Sequence, residues 1–294
     1  MLFNNKWNQL ALFLLILGIN IIIFSFIALG TAQLIWQSAS TDNPAMARYT
    51  NSILIMGAFG ITTLLYAFIV NRRKPFVYLK LDKKVKWDSV FLILLILCAS
   101  MPALSLIIKW NEGLHLPQAL SAIEQWMREK EDASAVLTKQ MLSGTGLSVL
   151  FSNLLAMAIV PAICEELFFR GVLLSWLKDS FHRKHLAVWL SAIVFSAIHI
   201  QFFGFFPRML LGVYLGYLFL WTGSLWTAIL AHFLNNAVAV VAAFLYNIGY
   251  TATDYEQVGN MDERAGVIAL SFCLTATLIW YFWKKNNFQP SIFN

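Results

Sequence analysis

The chain has 294 residues, 59% of them hydrophobic and 12% charged, with a formal net charge of +6. Soluble globular proteins carry about 25% charged residues. No single core absorbs this apolar excess, so a soluble enzyme and a nucleic-acid-binding domain are excluded and lipid is the expected solvent. The three cysteines, Cys98, Cys164 and Cys273, are odd in number, far apart and inside apolar runs, which implies neither a disulfide framework nor a CxxC metal site.

Apolar runs long enough to cross a hydrocarbon layer, roughly 20 residues each, recur along the sequence. They predict an all-α, polytopic membrane protein of about eight transmembrane helices, near 10–32, 52–70, 89–108, 146–177, 186–200, 208–222, 225–249 and 265–283. The first run is longer than the apolar region of a signal peptide and has only Lys6 ahead of it, so a retained helix is expected.

An even number of spans puts both termini on one side. The N-terminus, 71–88, 178–185 and the C-terminus hold 13 Lys and Arg against Asp82, Asp88 and Asp179. The opposite connections hold seven Lys and Arg against ten Asp and Glu. The excess positive charge is thus a topology signal, and it predicts a multi-pass cell-membrane protein with both termini cytoplasmic.

Segment 116–141 is too charged to span. Leu120, Ile123, Met127, Leu137 and Met141 recur at roughly helical spacing, with Glu124/Arg128 and Arg128/Asp132 four apart, so an amphipathic helix on the outer surface is expected. A functional cap and plain interfacial packing both fit it. The chain then divides into 1–144, three spans plus this helix; 145–250, a four-span core; and 251–294, an acidic loop, the last span and a cytoplasmic tail.

Ionisable groups inside a bilayer cost several kcal/mol unless paired or hydrated. Here they are Glu165, Glu166 and Arg170 in the fourth span, His199 in the fifth, and His232 in the seventh, which also carries Asn235 and Asn236. At 1.5 Å per residue, Glu165 lies about 20 Å from the helix end near Lys178 and His199 about 21 Å from His185. His232 and Asn236 lie about 12 Å and 18 Å from Ser224. All four share one layer.

Neighbours on a helix point about 100° apart, so the two glutamates have different jobs. Glu166 and Arg170, at i,i+4, are placed to pair, which neutralises a buried charge. Glu165 is then free to act as a general base towards water in a helix-bundle cavity, with His199 sharing or orienting that water. His232 and Asn236, again at i,i+4, offer donors to a developing oxyanion. Pro161 should kink the fourth helix and free the carbonyl of Met157. Gly212 and Gly216 form a small-xxx-small packing face, and Cys164, beside a carboxylate, reads as a packing residue rather than a nucleophile. An interhelical hydrogen-bond network is the structural alternative for the polar cluster.

The spacing Glu165-Glu166-x-x-x-Arg170, then Phe195-x-x-x-His199, then His232-x-x-x-Asn236 resembles the CPBP family, the CAAX protease and bacteriocin-processing group also called Abi. The resemblance covers about 155–240. It implies an intramembrane endopeptidase fold acting on a peptide or membrane-protein substrate. The residues matching Glu165 and His199 would activate water, and those matching His232 and Asn236 would stabilise the oxyanion. It also raises zinc, because Glu165, His199 and His232 form a two-His, one-Glu set. No HExxH is present, so a metal-free, glutamate-type mechanism is expected. A noncatalytic immunity or scaffold protein and an ion-coupled transporter are the competing functions, and the inverted repeat that would support a transporter is missing from the sequence.

Overall fold

The computed structural model describes residues 5–37, 43–251 and 265–287. The acidic stretch 252–264 and the tail from 288, both part of the expected C-terminal division, lie outside the described residues. Every regular element described is helical. Seven helices are long and apolar enough to cross a membrane, namely α1 (Lys6–Trp36), α2 (Pro44–Val70), α3 (Trp87–Glu112), α5 (Leu147–Phe181), α7 (Phe205–Thr222), α8 (Leu225–Asn247) and α9 (Ala265–Asn287). Between them lie the amphipathic α4 (Ser121–Leu142) and the short α6 (Lys184–Ala197).

The expected fifth span at 186–200 is therefore shorter than drawn. Fourteen residues rise about 21 Å, less than the ~30 Å hydrocarbon thickness. Alone, this helix is too short to cross that layer. His199 falls in the turn just beyond its end, where the backbone is no longer committed to a helix.

α5 is the central element. It packs against α2 on one side and α8 on another, and its second half meets the α6–α7 pair, while α3 and α9 pair with each other and lean on α7 and α8. Phe13, Tyr66, Phe168, Phe169, Phe195, Leu215 and Leu225 belong to one buried apolar cluster. Large side chains on α1 such as Leu15, Ile22, Phe26, Leu29 and Leu34 are exposed, as a lipid-facing surface requires.

α5 departs from regular helix twice. Leu154–Ile159 and Leu167–Leu174 are π-helical. Pro161 has no N–H to give, so the turn before it loses a rung, and widened turns of this kind recur at functional sites. α2 has a matching π stretch at Met56–Ile61, where Gly60 faces Cys164 so closely that a Cβ would stand 2.9 Å from its Sγ. Cys164 is thus a packing residue against a glycine. A Cβ on Gly212 would stand 3.0 Å from the Cβ of Ala192, and one on Gly216 3.1 Å from Val188, so both glycines let α6 and α7 approach closely.

Contacts sort the two ends of the bundle. At one end Lys6 reaches Asp179 at 3.5 Å and its carbonyl accepts from Trp176. The 80–83 loop accepts from Leu225 N, Trp226 Nε1 and Ser224 Oγ at the start of α8, and Lys285 meets Asp88 at 2.6 Å. These are the segments that charge counting assigned to one side. At the other end Arg48 is buried and donates to Met141 O at 2.6 Å and to Asn153 Oδ1 at 3.1 Å, rooting the end of α4 in the bundle.

Candidate active site

α5 presents Glu165, Glu166 and Arg170, all buried. Arg170 donates through Nη1 to Glu166 Oε1 at 2.7 Å and through Nη2 to Gly212 O at 2.9 Å, with its guanidinium 4.8 Å over the Phe195 ring. The missing side chain at Gly212 thus has two effects, close helix packing and an open carbonyl for the arginine. A buried charge needs this much compensation.

α8 brings His232 to the same carboxylate, with Nδ1 2.9 Å from Glu166 Oε1. A carboxylate only accepts, so Nδ1–H is the donor and the ring is oriented by it. The other nitrogen then turns to Glu165, with Nε2 3.9 Å from Oε2. Glu165 has no hydrogen-bond donor among the described residues, and Oε2 of Glu166 is likewise buried without one. The structure gives His232 a partner, Glu166, that the sequence reading did not name. Its Nδ1–H is bound to Glu166, so only its Nε2 side faces the space near Glu165.

Asn236 is also engaged. Its Nδ2 donates to Met157 O at 3.3 Å, the carbonyl that Pro161 was expected to free, and its Oδ1 accepts from Asn235. One of its two amide hydrogens is committed to the π-turn of α5, which leaves one.

His199 joins from the turn after α6. Its Nδ1 stands 2.8 Å from Phe195 O, a bond that only Nδ1–H can make, so Nε2 is left with a lone pair. Phe195 lies edge-on to both imidazoles, with ring centroids 5.3 Å from His199 and 5.8 Å from His232. The structure thus brings Glu165, Glu166, Arg170 and His232 into one contact set and seats His199 beside it across Phe195.

A zinc ion held by Glu165, His199 and His232 would need three donor atoms within about 2.0–2.2 Å of one centre. Among the described residues no group of three His, Cys, Asp or Glu side chains converges in that way. An apolar groove of about 550 Å³ runs between α5 and α8 beside the site, lined by Ile159, Ala162, Ile163, Ile229, Leu230 and Phe233 with Lys84 at its edge. It reaches to within a turn of Glu165 and His232 but does not include them.

Three residues that sequence reasoning passed over shape the surroundings. Asn111 ties α3 to Phe202 O and Phe206 N. Arg208 binds Gln201 through its backbone and side-chain oxygens. Glu131 of α4 accepts from Phe203 N at 3.1 Å. The signal for Asn111 and Arg208 was a polar side chain at the end of an apolar run.

The family described as Rce1-like, type II CAAX prenyl endopeptidase Rce1-like, matches residues 147–238, a segment that includes Glu165, Glu166, Arg170, His199, His232 and Asn236. A curated relative, the uncharacterized protein YpbD of Bacillus subtilis (strain 168), is 28% identical over 90 residues. That stretch is 29% of this chain and 43% of YpbD, so the chain spans less than half the length of the relative it matches. No solved structure matches. The motif-bearing segment 147–238 of this all-α, multi-pass chain is therefore similar to the CPBP, or CAAX protease, family, and the match supports that assignment.

Proposed function

We propose that the chain is an intramembrane endopeptidase of the CAAX-protease type, with 145–250 as its catalytic core and both termini cytoplasmic. The observation that carries the reading is Glu165. It is a buried carboxylate in a membrane span, it has no donor of its own, and it faces an imidazole held in place by a fully buried Glu166–Arg170 pair. Intramembrane ionisable groups are functional by default, and a carboxylate left free while its neighbour is tied down suits a general base.

In the proposed reaction Glu165 takes a proton from water, and the resulting hydroxide adds to the carbonyl carbon of the scissile amide. His199 Nε2 accepts the second water hydrogen and aims the attack. The charge that develops on the carbonyl oxygen is met by the remaining Nδ2–H of Asn236 and, with both ring nitrogens of His232 protonated, by its Nε2–H, one helical turn apart on α8. Collapse of the tetrahedral intermediate breaks the C–N bond, and the proton held by Glu165 passes to the leaving amine. We assign no metal to this sequence of steps, in keeping with the two-membered donor set around His232 Nε2 and Glu165.

The test uses purified protein in bilayer discs with two probes, a peptide ending in a prenylated cysteine motif and an unprenylated transmembrane peptide. Glu165→Gln should lower kcat by about 10²–10⁴-fold, the usual contribution of a general base, with unfolding unchanged. Activity should persist in chelator. Wild-type levels of cleavage in Glu165→Gln would sink the assignment, and cleavage abolished by chelator and restored by zinc would replace the metal-free mechanism.

A further inference from the structure

The turn that carries His199 is strained and held from outside its own helix. Ile200, the next residue, has φ +53°, a left-handed backbone that a β-branched residue adopts only when its surroundings impose it. The imposing contacts come from neighbouring elements. Asn111 of α3 donates to Phe202 O at 3.1 Å and accepts from Phe206 N at 2.8 Å. From α6 itself, Ser196 Oγ also donates to Phe205 O at 2.7 Å.

The remaining contacts come from α4. Glu131 Oε2 accepts from Phe203 N at 3.1 Å, Arg128 lies 4.2 Å over the Phe203 ring, and the rings of Trp126 and Phe202 are 5.4 Å apart. The C-terminal end of α4 is fixed by Arg48 to Met141 O and by Asn153 and Asn247 to Leu142 O. The amphipathic helix is thus anchored at one end, and one carboxylate partway along it closes onto the turn after His199.

We propose that Glu131 is a positioning residue for His199. By accepting the Phe203 amide it holds the strained 199–204 turn in the conformation that places the imidazole beside Phe195 and the Glu165–His232 pair. Seating of α4 on the outer face of the bundle is then coupled to assembly of the site. This rests on the peptidase reading above, and the amphipathic helix becomes a functional cap rather than interfacial packing alone.

The full-length protein in bilayer discs is compared with Glu131→Ala and Glu131→Gln by hydrogen–deuterium exchange and by cleavage of the transmembrane probe peptide. Glutamine keeps an acceptor oxygen and alanine does not. Glu131→Ala should speed exchange at 199–205 about tenfold, the loss expected for one hydrogen bond to a charged acceptor, with 160–180 unchanged. Its kcat should fall while KM holds, and Glu131→Gln should restore both. Unchanged exchange at 199–205 in Glu131→Ala, equal losses in the two variants, or a rise in exchange throughout the bundle would each overturn the proposal. If the wild type cleaves neither probe, the exchange arm still decides the coupling, and the peptidase reading is what fails.

Discussion

His232 is oriented by Glu166, and the oxygen that accepts its Nδ1–H is the one that Arg170 holds at 2.7 Å. One carboxylate oxygen thus joins α5 to α8, and Arg170 extends the link to α7 through Gly212 O. Arg170→Ala would leave Glu166 buried without its cation, which costs about 3–5 kcal/mol. Unfolding in mixed micelles should show that loss. Arg170→Lys should recover only part of it, because a single ammonium cannot serve both the carboxylate and the Gly212 carbonyl with the fork geometry of a guanidinium. A loss below about 1 kcal/mol for Arg170→Ala, the range of exposed pairs, would mean that the pair is not a structural link.

Gly212 tests the same junction through packing. An added Cβ would meet Ala192 Cβ at 3.0 Å, Ala192 Cα at 3.1 Å and Phe195 Cδ1 at 3.2 Å. Backbone and a ring on α6 cannot all yield, so Gly212→Ala should destabilise by about 1–3 kcal/mol, the cost of overpacking. Because Phe195 lies between the two imidazoles, cleavage should fall further than stability. Equal stability of the alanine variant and the wild type would show that the α6–α7 seam is looser than the contacts imply.

Much of this was legible in residue order, for identifiable reasons. A lipid solvent forces long apolar runs, so the spans were readable, and the i,i+4 spacing of Glu166 and Arg170 was enough to pair them. The length of α6 was not legible, because Ile198 and Ile200 continue its apolar character past the point where the backbone leaves the helix at Ala197. The partners of His232 and Asn236 were hidden for another reason. Which acceptor an imidazole or an amide finds depends on how α5 and α8 are rotated against each other, and the π turn before Pro161 changes that rotation. Glu131 was invisible as a site neighbour because its partner is a backbone amide 72 positions away.

Arg48 is a buried cation whose acceptors among the described residues are neutral, the carbonyl of Met141 and the amide oxygen of Asn153. Hydrogen bonds to charged groups contribute about 1.5–3 kcal/mol each. Arg48→Met keeps much of the apolar stem and removes both bonds. It should release the C-terminal end of α4, seen as faster amide exchange over 136–144, while exchange in the middle of α5 stays slow. Unaltered exchange over 136–144 would mean that Asn153 and Asn247 anchor the helix without it.

At the other end of α4, Glu124 is half-buried and accepts from Arg128 Nη2 at 2.7 Å, from Arg128 Nε at 3.0 Å and from Leu116 N at 2.8 Å, with His115 Nδ1 2.9 Å away. The Arg128 guanidinium first, then the Leu116 amide and His115, hold its carboxyl down at about 2, against an ordinary value of 4.5. A carboxylate whose value is depressed by folding stabilises the folded form at pH above 4.5. That contribution fades as pH falls from 4.5 and is gone below about 2, where both states are protonated. The link between α4 and the 114–116 segment should therefore survive at pH 4. Exchange of the Leu116 amide, corrected for its intrinsic pH dependence, should stay slow at pH 4 and quicken only towards pH 2. In Glu124→Gln the same amide should show no pH dependence across that window. Loss of protection in the wild type with a midpoint near 4.5 would mean that Glu124 is free in solution and that the Arg128 contact does not hold the start of the helix.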